Sequence, residues 1–364
     1  MTTLLANNLQ KQYRIIICSN VQQEKEKLLS KLSKDVMFRE LPYSGTKYSQ
    51  ENVNFFNKLI REESVDVIIY QDSYFPNEYL LKSINTSVKI IIAEHNSPMG
   101  YTISHRCRMN ETSWWHLYSK LKWMFEYYRT IPHEHKRRNL LYNLCDKYVV
   151  LASGLIKQCQ EIGKIRDDGK FCVIGNPLVL NRSAIDLSVK KNECLFVGRL
   201  DSMKGIDRMA RIWSIVEKQC SDWTLVVVGD GIMMPTLKSM IEEFQIKRIR
   251  LEGFQTNVIP YYNNAQVFCM FSTFEGFPLV IPEAMSNGLV PMAFGSFAAW
   301  DDITQDGIDS ITIHPFYERE YAEKLIELLR NDTKRKKMQV MALESSKRFD
   351  ADSVVLKWLD LMND

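Results

Sequence analysis

Two carboxylates, Glu275 and Glu283, stand eight residues apart in the run Glu275-Gly276-Phe277-Pro278-Leu279-Val280-Ile281-Pro282-Glu283. A Gly-Phe-Pro turn between them leads into a predicted helix. Glycine permits unusual backbone angles and close approach of a ligand. A helix start offers unpaired N–H groups to an anion. Such geometry suits a nucleotide sugar. The amides of Gly276, Phe277, Pro278 and Leu279 would line the diphosphate, Pro278 lacking a donor of its own. One carboxylate would accept bonds from sugar hydroxyls and the other from ribose hydroxyls. The plainer alternative is a strand, a turn and a core helix with both acids solvated.

Cations with a matching purpose lie upstream. Leu195-Phe196-Val197-Gly198-Arg199-Leu200 reads as a strand entering a turn, and Asp201-Ser202-Met203-Lys204-Gly205 follows before a helix. Arg199 and Lys204 would sit at the strand's carboxyl end, where fixed cations neutralise charge growing on a departing nucleoside diphosphate. A solvated basic turn is the competing reading. Val227-Val228-Gly229-Asp230-Gly231 is a strand with a glycine turn. At Gly229 ligand contact and a tight turn remain equally open. Backbone groups near Phe254 could hold a base, or this strand end could simply pack on a helix. Ser272 and Thr273, just before the first acid, are candidate pocket walls. His95 follows the apolar run Val88–Ala93, at the end of a parallel strand where open α/β sheets place ligands.

The string EGFPLVIPEAMSNGLVP resembles the Glu-x7-Glu signature of the GT4 family of retaining glycosyltransferases, which have the GT-B fold. FVGRLDSMKGID resembles the same family's phosphate-binding Gly-Arg…Lys-Gly segment. The likeness is strong over residues 193 to 312 and weak elsewhere. It implies two Rossmann-like doubly wound domains facing a cleft, and sugar transfer from a nucleotide sugar, expected to be a UDP-sugar, to an acceptor hydroxyl with retention. It further implies that Arg199 and Lys204 stabilise the leaving diphosphate with help from the 276–279 amides, and that Glu275 positions the sugar. Glu283 would grip the ribose, and His95 would contact the sugar from the opposite domain. Gly198, Gly229 and Phe254 would flank the nucleotide. No metal or other cofactor is expected: the remaining histidines show no ligand spacing, and Asp301-Asp302 is not an Asp-x-Asp motif.

The 364 residues exceed what one hydrophobic core usually serves. Nearly continuous apolar runs alternate with amphipathic stretches, the pattern of a parallel sheet covered on both faces. Strands are expected at Arg14–Cys18, Asp66–Tyr70, Val88–Ala93, Lys147–Leu151, Phe171–Ile174, Cys194–Val197, Thr224–Val228, Val267–Phe271 and Val290–Phe294. The break at Gly175-Asn176-Pro177 divides an acceptor-side domain, 1–176, from a nucleotide-sugar domain, 177–348. By resemblance, the last helix, 349–364, crosses back to the first domain. One departure stands out: the first glycine is Gly45, so no glycine-rich loop follows an early strand. Thr3–Leu9 looks like the helix that usually follows that loop. The first domain is therefore expected to be short at its amino end, with a central strand missing; the alternative is that Arg14–Cys18 is the first strand and is followed by a loop without glycine.

A formal charge of +3, 45% hydrophobic and 25% charged residues describe an ordinary globular chain and do not argue for nucleic acid. No apolar run approaches a bilayer span. The opening residues lack the pattern of a secretory signal, and the eight cysteines include no Cys-x-x-Cys pair. A cytoplasmic location follows as the expectation. Residues 101–140 hold eight Lys or Arg, three Glu and the aromatics Trp114, Trp115, Trp123, Phe125, Tyr127 and Tyr128. That mixture suits an anionic membrane surface at the inner face, or a basic helix packed on the first domain. Family habit points to a saccharide or lipid-linked acceptor in surface polysaccharide or glycolipid assembly. Two alternatives stay open: a nucleotide-sugar-binding subunit without turnover, and a nucleotide-sugar epimerase, which would want a Gly-x-Gly-x-x-Gly the chain does not contain.

Overall fold

Every apolar run expected to be a strand forms one in the computed structural model. The structure describes residues 2–20, 25–45, 47–71, 77–95, 97–98, 100, 117–178 and 185–364, without the side chains of 117–120, 123, 126 and 127. Two units are present. The first comprises residues 1–99, 128–179 and 351–364, and the second comprises 100–127 and 180–350. Of the described residues, 100 and 117–127 group with the second unit rather than with the expected first domain.

The first unit opens with α1 (Thr2–Leu9), β1 (Ile16–Ser19), α2 (Lys25–Leu29), β2 (Met37–Glu40), α3 (Gln50–Glu62) and β3 (Val67–Gln71). It continues with α4 (Glu78–Lys82), β4 (Lys89–Ala93), the part of α5 (Leu117–Leu144) from Tyr128 onward, β5 (Lys147–Val150), α6 (Ser153–Gly163) and β6 (Phe171–Val173). Its strands form two parallel ladders, β1–β2 and β3–β4–β5–β6. Among the described residues no ladder joins β1 to β3.

The second unit contains β7 (Glu193–Val197), α7 (Ile206–Val216), β8 (Thr224–Val228), α8 (Met234–Glu243), β9 (Ile249–Gly253) and α9 (Ile259–Asn264). Then come β10 (Val267–Met270), α10 (Val280–Ser286), β11 (Val290–Phe294), α11 (Trp300–Ile303), β12 (Ile311–Ile313), α12 (Glu318–Arg330) and α13 (Asp332–Ser346). Six parallel strands run in the order β12-β11-β10-β7-β8-β9. The chain builds outward from β7 on one side, then returns to its other side at β10. The loops leaving β7 and β10 thus diverge at the switch point where open sheets bind ligands. Helix α7 buries Ile206, Met209, Ala210, Trp213 and Val216, a stripe at helical spacing, against this sheet.

The strands without a continuous apolar run in the sequence, β2, β9 and β12, all lie at sheet edges. An edge strand has less surface to bury, so charged residues such as Arg39, Arg250 and Glu252 are accommodated there.

The final helix, α14 (Ala351–Asn363), belongs to the first unit's core. Val354, Val355, Trp358 and Leu359 pack with Leu5, Leu9, Ile91 and Val149. Its carboxyl end is met by cations, as the helix dipole favours: Lys89 Nζ donates to Leu361 O at 2.8 Å, and Lys147 Nζ lies 2.7 Å from Asp364 Oδ2.

Trp358 is buried, and its indole N–H has no hydrogen-bond partner among the described residues. Trp358→Ala should destabilise the first unit by roughly 3–5 kcal/mol, the usual cost of emptying a large aromatic site. Trp358→Phe should cost less than half of that, because it also removes an unsatisfied donor. Denaturant midpoints of the two variants check the order.

Candidate functional site

The turn after β7 is built to hold Lys204 in one place. Asp201 caps the 3-10 turn Ser202–Lys204, its side chain accepting from the Lys204 amide. Gly205 then takes a left-handed conformation, φ +67°, and starts α7. A Cβ at Gly205 would stand 2.2 Å from Phe271 O, so only glycine lets the turn lie against the end of β10.

Hydrogen bonds fasten the two loops together. Thr273 N donates to Met203 O at 2.7 Å. Arg208 donates through Nε and Nη2 to Phe271 O at 3.2 and 3.1 Å, and through Nη2 to Thr273 Oγ1 at 2.5 Å. Across this junction Lys204 Nζ donates to Glu275 Oε1 at 2.6 Å, with side chains 23% and 14% exposed. The cation and the first acid of the sequence motif therefore meet directly. A lysine carries three donors, and Glu275 occupies one of them.

The second acid is held separately. Glu283 lies in the first turn of α10, and the Tyr262 hydroxyl donates to its Oε2 at 3.0 Å. Tyr262 is fully buried on α9. Burial raises the Glu283 pKa above the ordinary carboxylate value, and the Tyr262 bond offsets part of that rise. Gly276 and Phe277 precede the helix, Pro278 is buried, and Leu279 occupies the cap position without a side-chain cap bond. Phe277 packs edge-on against Phe349, with ring centroids 6.0 Å apart.

The remaining candidates are distributed around the same sheet end. Arg199 is 84% exposed and lies 3.2 Å from Asp201; neither Arg199 nor Glu283 touches the Lys204–Glu275 pair among the described residues. Gly198 N donates to Val228 O at 3.0 Å, and Gly229 N donates to Gly253 O at 2.8 Å. Gly229 has φ +142°, and a Cβ there would stand 1.9 Å from Gly198 O. Close packing of neighbouring strand ends thus requires glycine at 229. Phe254 is 74% exposed at the end of β9. Thr273 is engaged by Arg208, and Ser272 is buried.

In the first unit His95 lies two residues beyond the end of β4. Its neighbour Glu94 is buried and accepts two bonds from Arg138 Nη1, at 2.6 and 2.7 Å, and one from the Tyr148 hydroxyl at 2.7 Å. Glu94 therefore pins the strand end to α5. Residues 101–116 of the basic, aromatic stretch lie outside the described residues. On α5, Leu121, Met124, Phe125 and Tyr128 are exposed at helical spacing. No helix among the described residues is long and apolar enough to cross a membrane.

Sequence reasoning did not single out Arg208, Tyr262 or Arg138 for these roles. Arg208 stands four residues after Lys204, and Tyr262 belongs to the adjacent pair Tyr261-Tyr262 ahead of the acid motif, so weak signals existed for both. Arg138 showed only as one cation among many.

Residues 180–344 match the family model described as glycosyl transferases group 1. A Haemophilus influenzae protein described as an uncharacterized glycosyltransferase is 27% identical over 256 residues, covering 70% of this chain and 64% of the relative. The amylovoran biosynthesis glycosyltransferase AmsD of Erwinia amylovora is 26% identical over 232 residues, covering 63% of this chain and 65% of the relative. The chain thus spans less than two thirds of these curated relatives. Among solved structures, Anabaena Alr3699/HepE in complex with UDP superposes with a TM-score of 0.72 at 14% identity, covering 99% of this chain and 95% of the other. At that identity the likeness establishes the fold, which is the GT-B α/β type with parallel sheets.

Two outcomes follow from the site's geometry. Gly229→Ala should cost at least about 2 kcal/mol, from backbone strain and overpacking, and lower the thermal midpoint. Glu283→Gln should behave differently. The folded chain holds the Glu283 proton more tightly than the unfolded chain does. Its ionisation therefore carries no penalty below the ordinary carboxylate pKa and a full penalty above the raised folded one. Glu283→Gln should stabilise the unliganded protein at neutral pH and lose that advantage in acid, as denaturation across the pH range would record.

Proposed function

Since residues 180–344 belong to the group 1 glycosyl transferases, we propose that the chain moves a sugar from a nucleotide sugar, with retention, to an acceptor hydroxyl in surface polysaccharide or glycolipid assembly. The observation that carries this reading is the Lys204–Glu275 pair at 2.6 Å, locked across the switch point of the second sheet. Lys204 takes up charge on the leaving diphosphate, and the solvent-facing Arg199 adds a second cation. Glu275 orients sugar hydroxyls and stabilises positive charge at the ring. Glu283, held by Tyr262, accepts from the ribose. The bond from the anomeric carbon to the diphosphate oxygen breaks, and a bond to the acceptor oxygen forms on the same face. The acceptor proton passes to a phosphate oxygen of the departing nucleotide, so no separate side-chain base is needed.

UDP is the nucleotide we favour, supported by the UDP complex of the Anabaena structural relative. No metal is assigned a part, because Lys204, Arg199 and the amides before α10 supply the positive charge. The exposed stripe Leu121, Met124, Phe125 and Tyr128, with the surrounding cations, would rest on an anionic membrane at its cytoplasmic face, where a lipid-linked acceptor is presented. Donor binding without turnover is the second reading. It is favoured by the first unit's divided sheet, in which β1 and β3 are unjoined among the described residues.

Thermal-shift titration with UDP, GDP, ADP and their sugars tests the site. One diphosphate series should stabilise the protein, and Lys204→Ala and Glu283→Ala should each weaken that effect about tenfold or more. Stabilisation unchanged in both variants sinks the proposal. NMR of the product's anomeric proton then separates retention from inversion, and absence of any product with bound donor selects the second reading.

A further inference from the structure

Helix α5 carries a second cluster of chemistry, remote in sequence from the acid motif and contained within the first unit. His133, Lys136, Arg137 and Leu140 fall at i, i+3, i+4 and i+7, so they share one face of the helix. That face meets Glu78 and Lys82, the two ends of α4, and the six side chains line a hollow of about 290 Å³. The Arg137 guanidinium donates to the Glu78 carboxylate, and both side chains are nearly buried, 13% and 9% exposed. This pair is part of the hollow's lining. Lys82 comes from α4 and Lys136 from α5, and among the described residues neither has an ion-pair partner. Three basic side chains thus line the hollow with one carboxylate, a formal excess of two positive charges, together with His133.

A solvated basic face spreads its cations outward to lower their repulsion. Here two helices bring lysines to a common hollow that the Arg137 guanidinium also lines. We propose that this hollow binds a phosphate-type dianion, a phosphomonoester or a diphosphate, with Lys82 and Lys136 donating from either side. Phosphate oxygens match such a convergence of donors better than a single carboxylate does, because they accept from several directions at once. The same chemistry could come from a soluble phosphate or from a lipid headgroup. The site is distinct from the nucleotide site proposed in the second unit and does not depend on it.

Calorimetric titration of the full-length protein with inorganic pyrophosphate tests the assignment, using wild type, the double variant Lys82→Ala/Lys136→Ala, and Lys204→Ala. Both replaced lysines are exposed, so the fold should survive, and circular dichroism checks this. The double variant should weaken one binding event at least about tenfold, the loss expected for charge-assisted bonds, while Lys204→Ala leaves that event intact. The double variant should also keep the donor-induced thermal shift, so failure here is separable from failure of the proposed transferase site. Flotation with phosphatidylcholine vesicles, with and without phosphatidic acid, identifies the source. Phosphatidic acid-dependent flotation lost in the double variant assigns a lipid headgroup. Pyrophosphate binding lost in the double variant without such flotation assigns a soluble phosphate. Binding and flotation both indifferent to the double variant, or pyrophosphate binding abolished wholly by Lys204→Ala, overturn the proposal.

Discussion

One ion pair ties together two loops at the end of the second unit's sheet. Lys204 and Glu275 lie 71 residues apart in the chain, yet they meet at 2.6 Å because β7 and β10 are neighbours in the sheet. Neither side chain could be placed by its own loop alone. The Asp201 cap, the left-handed Gly205, the Thr273–Met203 bond and the Arg208 clamp fix both backbones before the side chains touch. A half-buried pair on such a frame is pre-organised, and fixed charge placed before reaction is what stabilises developing charge cheaply.

Around this pair the structure accepts local costs. Glu283 is buried enough to raise its pKa, with Tyr262 offsetting part of the penalty. Gly229 occupies a conformation and a contact that exclude any side chain. Phe254 is left largely exposed at a sheet end. Such departures from the most stable arrangement cluster where a ligand must be received. The first unit shows the contrasting use of charge: Glu94, Arg138 and Tyr148 form a buried network that holds the strand end before His95, with each oxygen of Glu94 satisfied inside the protein.

Much of the architecture was legible because burial on both faces leaves a simple trace. Runs such as Lys-Ile-Ile-Ile-Ala and Thr-Leu-Val-Val-Val have no polar phase, and each became a strand with covered faces. The edges were harder to read. Met37–Glu40 and Ile249–Gly253 carry charge because an edge tolerates it, and Ile311–Ile313 is too short to stand out. Likewise Arg138 was indistinguishable from its basic neighbours, since what makes it special is the buried carboxylate it meets.

The chain's own residue order determined the α/β alternation, the cationic turn and the spacing of its two acids. Those are local properties, set by backbone preference and by which side chains avoid water. Tertiary structure alone decided that Lys204 should bond Glu275 while Glu283 turned to Tyr262, and that Arg208 should tie two loops together. It also decided that lysines from two helices should face one hollow. These pairings depend on strand order and helix packing, which bring distant residues within hydrogen-bond reach, and no spacing along the chain encodes that distance.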